Sequence, residues 1–189
     1  MKQQNRLSTK TLALTGVATA LVFILTKFVS IPIPSAIGKT AIHVGNAMCL
    51  LSSLLLGPVP GALAAGIGSA LVDLTDPVWA TEFWMTFINK AAMALTAGLC
   101  FRVLRLRNRP LRVWLSSLSG ALVYCVLYVA KNILMGHLVR GLAWTVAIVE
   151  TLTLKLPVTL TNAVIATICA SLLYLAMKPA LTKAHVLDG

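Results

Sequence analysis

Residues 101–112 read FRVLRLRNRPLR, and the five arginines of that run, Arg102, Arg105, Arg107, Arg109 and Arg112, interrupt a chain that is otherwise greasy. The composition is 58% hydrophobic and 11% charged, with a mean hydropathy of +0.89. A soluble domain carries about a quarter charged residues, so this is the composition of a membrane protein. Lys and Arg collect in cytoplasmic loops because translocating them is unfavourable. The arginine run is therefore expected on the cytoplasmic face, and the other segments are threaded from it.

Roughly 20 apolar residues in a helix cross a hydrocarbon core of about 30 Å. The pattern predicts such spans at about 11–31, 83–104, 113–138 and 154–177. Residues 41–74 are apolar too, but Gly57-Pro58-Val59-Pro60-Gly61 cannot continue a helix. Splitting there gives two short spans, about 41–56 and 60–75. The expected fold is an all-α integral membrane protein, one domain of six transmembrane helices with both termini cytoplasmic. Charge agrees: Lys2, Arg6 and Lys10 precede the first span, the five arginines follow the fourth, and Lys178 and Lys183 follow the sixth. Asp76, Glu82 and Glu150 fall in outer loops, and Asp73 at the outer end of the third span.

The net charge of +11 would point to nucleic acid in a soluble protein, but here the basic residues flank spans and no nucleic-acid motif accompanies them. The basic start followed by an apolar run has the look of a signal peptide. Its length and the want of a small-residue cleavage site favour a first span. Cys49, Cys100, Cys125 and Cys169 lie singly within spans, and His43, His137 and His185 are far apart. That spacing supports neither a metal site nor a disulfide framework, and no cofactor is expected. Without a phosphate-binding loop, a nucleophile elbow or paired intramembrane carboxylates, the chain does not read as an enzyme. An ATP-driven process would need its motor on another chain.

Polar groups within membrane depth are costly and usually mark a functional cavity. Here they gather at the outer ends of the spans. Lys39, His43, Asn46, Asp73, Glu82, Asn89 and Lys90 come from the second to fourth, and Lys131, Asn132, Lys155 and Asn162 from the last two. Trp79, Trp84 and Trp144 lie in the same zone. An interfacial belt is the alternative for the tryptophans, and snorkelling for Lys27, Lys39 and Arg140. Snorkelling suits Lys90 and Lys131 less well, and Glu82 and Glu150 are the carboxylates that could pair with them. These residues, Trp79 and Trp84 included, are the candidate contacts of a pocket open to the outside, with a few polar groups orienting a small ligand among apolar walls. Two small-residue stripes add a second signal: Ala13, Gly16, Val17 and Ala20, and then Gly61, Ala65, Gly68, Ser69 and Val72. Such stripes let helices approach closely in lipid, either within the chain or against a membrane partner.

The stretch IHVGNAMCLLSSLLLGPVPGALAAGIGSALVDLTDPVWATEFWMTFINKAAMALTAGLC, residues 42–100, resembles the substrate-binding S components of energy-coupling factor (ECF) vitamin transporters, in the branch that carries riboflavin, hydroxymethylpyrimidine and pyridoxine. Leu54-Leu55-Leu56-Gly57-Pro58, Gly61, Gly66, Gly68-Ser69, Leu71, Asp73-Leu74, Thr86 and Lys90 carry the likeness. Asn46 stands where the branch has an aspartate, and Gly16 and Ala20 match its helix-1 signature only in spacing. The resemblance implies a binding subunit in the plasma membrane of a prokaryote. It would capture a small heteroaromatic vitamin from outside and topple against a membrane T subunit driven by two ATPase subunits. The loop IPIPSAIGKT after the first span would be its lid, stiffened by Pro32 and Pro34. A stand-alone secondary transporter is the competing reading, but it would normally show acidic residues near the midplane and repeated halves.

Overall fold

The computed structural model describes residues 8–35 and 38–186. Lys2 and Arg6 lie outside the described residues, as does the Lys39 side chain. Helix α1 (Thr9–Phe28) starts at Ser8, whose hydroxyl accepts the Thr11 N–H at 3.1 Å as an N-cap. It is followed by strands β1 (Ser30–Ser35) and β2 (Gly38–His43), an antiparallel pair in which Ser30 faces His43 and Pro34 faces Lys39. Helices α2 (Gly45–Leu56) and α3 (Pro58–Leu74) come next. A short 3₁₀ turn, Ala80–Glu82, leads into α4 (Phe83–Val103). Helix α5 (Arg109–Leu138) and the short α6 (Trp144–Glu150) follow. A π-helical turn, Thr151–Lys155, then joins α6 to α7 (Leu156–Lys183).

The hairpin corrects the wholly helical expectation. Residues 41–43, read as the start of the second span, belong to β2, and the helix begins only at Gly45. Ladder hydrogen bonds with β1 satisfy backbone groups that a helix would have satisfied internally. The proline break falls one residue after Leu56. Gly57 sits at φ 94° between the two helices, a conformation open to glycine, and Pro58 opens α3, where its missing N–H costs nothing. Pro60 lies in the same first turn, so α3 runs from Pro58 rather than from residue 60.

Helix α2 forms the centre of the bundle. Every residue from Gly45 to Leu54 is buried, and α1, α3, α4, α5 and α7 all pack around it. A helix enclosed on all sides needs no polar face, and its polar side chains Asn46, Ser52 and Ser53 are buried with hydrogen bonds inside the bundle. The α3 stripe serves internal packing. A Cβ on Gly68 would lie 2.6 Å from the Thr19 carbonyl oxygen of α1, and one on Gly61 would meet the Ser53 backbone of α2. The α1 stripe is different: Ala13, Gly16, Val17 and Ala20 are exposed, and a Cβ on Gly16 would meet nothing within 4 Å.

Among the described residues, three helical segments are long and apolar enough to cross a membrane: Thr9–Phe28, Arg109–Leu138 and the combined stretch Trp144–Lys183. Two shorter apolar helices are Gly45–Leu56 and Pro58–Leu74. The start of α1 lies beside the end of α7, where the Lys10 ammonium donates to the His185 carbonyl at 2.9 Å. The arginine run forms the α4–α5 connection. Asn108 caps α5 by accepting the Leu111 N–H at 3.2 Å, and Arg112 closes the turn by donating Nε–H to the Phe101 carbonyl at 2.6 Å.

Candidate functional site

Beneath the β1–β2 hairpin, the ends of α1, α3, α4, α5 and α7 enclose a cavity of about 110 Å³. Helical periodicity builds its walls. Ser69, Val72 and Asp73 share one face of α3, Thr86 and Lys90 one face of α4, and Tyr124, Tyr128, Lys131 and Asn132 one face of α5, at the three- and four-residue spacings that align side chains on a helix. The roof is the hairpin itself. Asn162 of α7 donates its amide to the Ala41 carbonyl at 2.8 Å and accepts the His43 N–H at 3.0 Å. Thr40 lies 3.4 Å from the Tyr128 hydroxyl.

Charges in the cavity follow a definite pattern. Glu82, 4% exposed, sits at the centre of an ion triad, 2.7 Å from the Lys131 ammonium and 3.0 Å from the Arg140 guanidinium. Burial alone would raise its carboxyl pKa, but the Lys131 charge and hydrogen bond, and then Arg140, hold it below the ordinary glutamate value. Lys90 of α4 donates to the Asn46 amide oxygen of α2, and its ammonium lies 4.0 Å from the Tyr124 ring centroid. Lys155 donates to the Asn132 oxygen at 2.9 Å, and Asn132 in turn donates to the Tyr128 carbonyl at 2.8 Å. The π-helical turn ends at Lys155, in a stretch where Pro157 brings no N–H to the ladder. Turns of this kind recur at functional sites.

Of the residues singled out from sequence, His43, Asp73, Trp79, Glu82, Lys90, Lys131, Asn132, Lys155 and Asn162 line this one cavity. Asn46 is wholly buried behind Lys90 rather than in the wall. Asn89 is buried but lies outside the lining, because adjacent helical residues point in different directions and Lys90 takes the inward one. Trp84 is 48% exposed and outside the cavity. Trp144 is equally exposed and stacks on His137, with ring centroids 4.1 Å apart. Arg140, read as snorkelling, instead lines the cavity and binds Glu82. Sequence reasoning also missed Thr26, Thr40, Ser69, Thr86, Tyr124, Tyr128 and Thr159. Among the described residues, no group of three His, Cys, Asp or Glu gathers as a metal site.

Fold and cavity together define a helical membrane protein that encloses a polar chamber under a hairpin roof. Residues 6–179 match the family described as the ECF-type riboflavin transporter, S component, and the chain belongs to that family. That description is of a family of transporter components. Curated relatives carry the designation UPF0397 protein. The one from Lactiplantibacillus plantarum is 32% identical over 107 residues, covering 57% of this chain and 54% of its own. That of Leuconostoc citreum is 28% identical over 134 residues, with 67% and 69% covered. An uncharacterized protein of Pyrococcus woesei is 42% identical over 78 residues, covering 41% of this chain and 49% of its own. With several of these relatives the match spans only about half of their length.

Proposed function

We propose that the chain crosses the membrane six times with both termini in the cytoplasm. In this reading it captures a small water-soluble heteroaromatic vitamin or precursor, of the riboflavin, hydroxymethylpyrimidine or pyridoxine kind, from outside. It then hands the ligand inward by toppling against a membrane T subunit powered by two ATPase subunits. The observation that carries this reading is the roofed cavity. Candidate contacts drawn from α3, α4, α5 and α7 meet there, under a hairpin pinned by Asn162. Tyr124 and Tyr128, 5.6 Å apart, offer a flat ring an aromatic surface of the kind that favours offset or edge contacts. The adjacency of Lys10 and His185 supports both termini on one face, and the exposed Ala13, Gly16, Val17 and Ala20 stripe suits close packing against the T subunit.

The test is purification from membranes followed by mass spectrometry of the small molecules that co-purify. A heteroaromatic vitamin or precursor, lost when Tyr128 is changed to Ala, is the expected result. Protein that carries no small molecule and binds none of the three vitamin kinds would overturn the reading.

A further inference from the structure

Four cationic side chains, Lys90, Lys131, Arg140 and Lys155, line the cavity, against two carboxylates, Asp73 and Glu82. The walls therefore hold an excess of two positive charges. Glu82 is committed to Lys131 and Arg140, and Asp73 lies near the Thr86 hydroxyl and within the influence of the Lys131 and Lys90 charges. Lys90 and Lys155, only 4% and 3% exposed, are each hydrogen-bonded by a neutral amide oxygen, from Asn46 and Asn132, while Asp73 acts on Lys90 and Glu150 on Lys155 only as nearby charges. An amide satisfies one of an ammonium's three donors but cancels none of its charge. Burying a cation is unfavourable unless an opposite charge accompanies it. Two further polar atoms of the lining, Thr26 Oγ1 and His43 Nδ1, are buried with no hydrogen-bond partner among the described residues, although buried polar atoms are normally paired.

We propose that the ligand of this cavity is a heteroaromatic acid, a flat ring system bearing at least one negative charge at neutral pH, whose anionic group is held by Lys90 or Lys155. Tyr124 and Tyr128 present the aromatic wall. The proposal rests on the cavity being the substrate site, and it replaces the neutral vitamin kinds named above with an acid of the same flat heteroaromatic class. Within that reading it excludes cationic ligands and sets acids above their neutral counterparts.

The experiment uses the full chain in detergent. Calorimetric titration compares acid and neutral members of matched probe pairs, nicotinate with nicotinamide, orotate with uracil, and 4-pyridoxate with pyridoxine, alongside mass spectrometry of the co-purifying molecule. The expected result is at least one acid binding tenfold or more tightly than its neutral partner, or a co-purifying acid. Neutral probes binding as tightly as their acids, or a co-purifying neutral or cationic vitamin, would overturn the acid assignment and leave the substrate-site reading standing. If no probe binds and nothing co-purifies, both readings fall together. In Lys90→Met and Lys155→Met, an acid that binds the wild type should lose its advantage over the neutral partner at least tenfold in one of the two. Lys155→Arg, which keeps the charge, serves as the folding control for the second site. An advantage unchanged in both Met variants, with wild-type melting behaviour, overturns the proposal.

Discussion

Asn162 accepts the backbone N–H of His43 at 3.0 Å, so a side chain from α7 closes the roof over the cavity. Its amide also holds the Ala41 carbonyl, so both of its polar groups make a hydrogen bond to the hairpin. From sequence Asn162 reads as a ligand contact; in the fold it lines the cavity and also ties α7 to the hairpin.

Asn162→Ala should therefore change release more than recognition. Two neutral hydrogen bonds are lost at about 0.5–1.5 kcal/mol each, which corresponds to ligand dissociation faster by about fivefold to a hundredfold. Stopped-flow fluorescence of Trp79, which lines the cavity, reads that rate, and hydrogen exchange at residues 40–43 should rise with it. An unchanged dissociation rate would mean that ligand leaves by a route that does not lift the hairpin.

The two small-residue stripes call for opposite outcomes. Gly16→Leu adds a side chain where a Cβ meets nothing within 4 Å, so stability should stay within about 0.5 kcal/mol of wild type. Co-purification with a T subunit should nonetheless be lost. Gly68→Leu must push past the Thr19 carbonyl oxygen, 2.6 Å from the added Cβ. It should cost about 1–3 kcal/mol or more through overpacking between α1 and α3, seen as a lower Tm. A Gly16→Leu protein that assembles normally would remove the outward stripe as the docking face.

Glu82 sets a pH dependence with a definite sign. Its carboxyl pKa is depressed in the folded protein, so its contribution to stability is present above the ordinary glutamate value and is lost as pH falls through the depressed one. Removing one partner from a buried pair typically costs about 3–5 kcal/mol, and Arg140 is partly exposed, which favours the lower end. Glu82→Gln should lower Tm clearly at pH 7, and the gap to wild type should close as pH is taken below about 4. A gap constant across that range would mean that the triad contributes little.

Much of this organisation is legible in the sequence, for reasons that particular residues make plain. The α2–α3 break is visible because Gly57 and Pro58 act locally, through backbone rules that need no tertiary context. The hairpin is not, because Thr40, Ala41 and Ile42 are as apolar as a helix start, and a hydropathy sum carries no phase to separate period 2 from period 3.6. Polar cavity residues stand out against lipid-facing neighbours, whereas Tyr124 and Tyr128 blend into an apolar span. Their four-residue spacing, continued three residues on by Lys131, is the signal that could have found that wall. Arg140 reads as a headgroup contact because its partner Glu82 is 58 residues away, and no local pattern announces such a pairing.

The orientation rests on the arginine run and can be tested without any ligand. Arg107 is exposed in the connection between α4 and α5, at the end of the bundle where Arg102 lies beside the Gly57 turn. Lys10 and His185 place the starts and ends of the outer helices side by side. Lys and Arg in short loops hold their position on the cytoplasmic side, so all of these should lie inside. The native cysteines do not obscure the measurement, since Cys49 and Cys125 are buried and Cys100 and Cys169 partly so; replacing all four by Ala gives a clean background. On that background Arg107→Cys should resist a membrane-impermeant maleimide in intact cells and react fully once the membrane is opened. A cysteine at Val78, in the turn that follows α3, should show the reverse. Labelling of Arg107→Cys in intact cells would invert the protein in the membrane and turn the hairpin-roofed cavity toward the cytoplasm, which no uptake mechanism from outside could use.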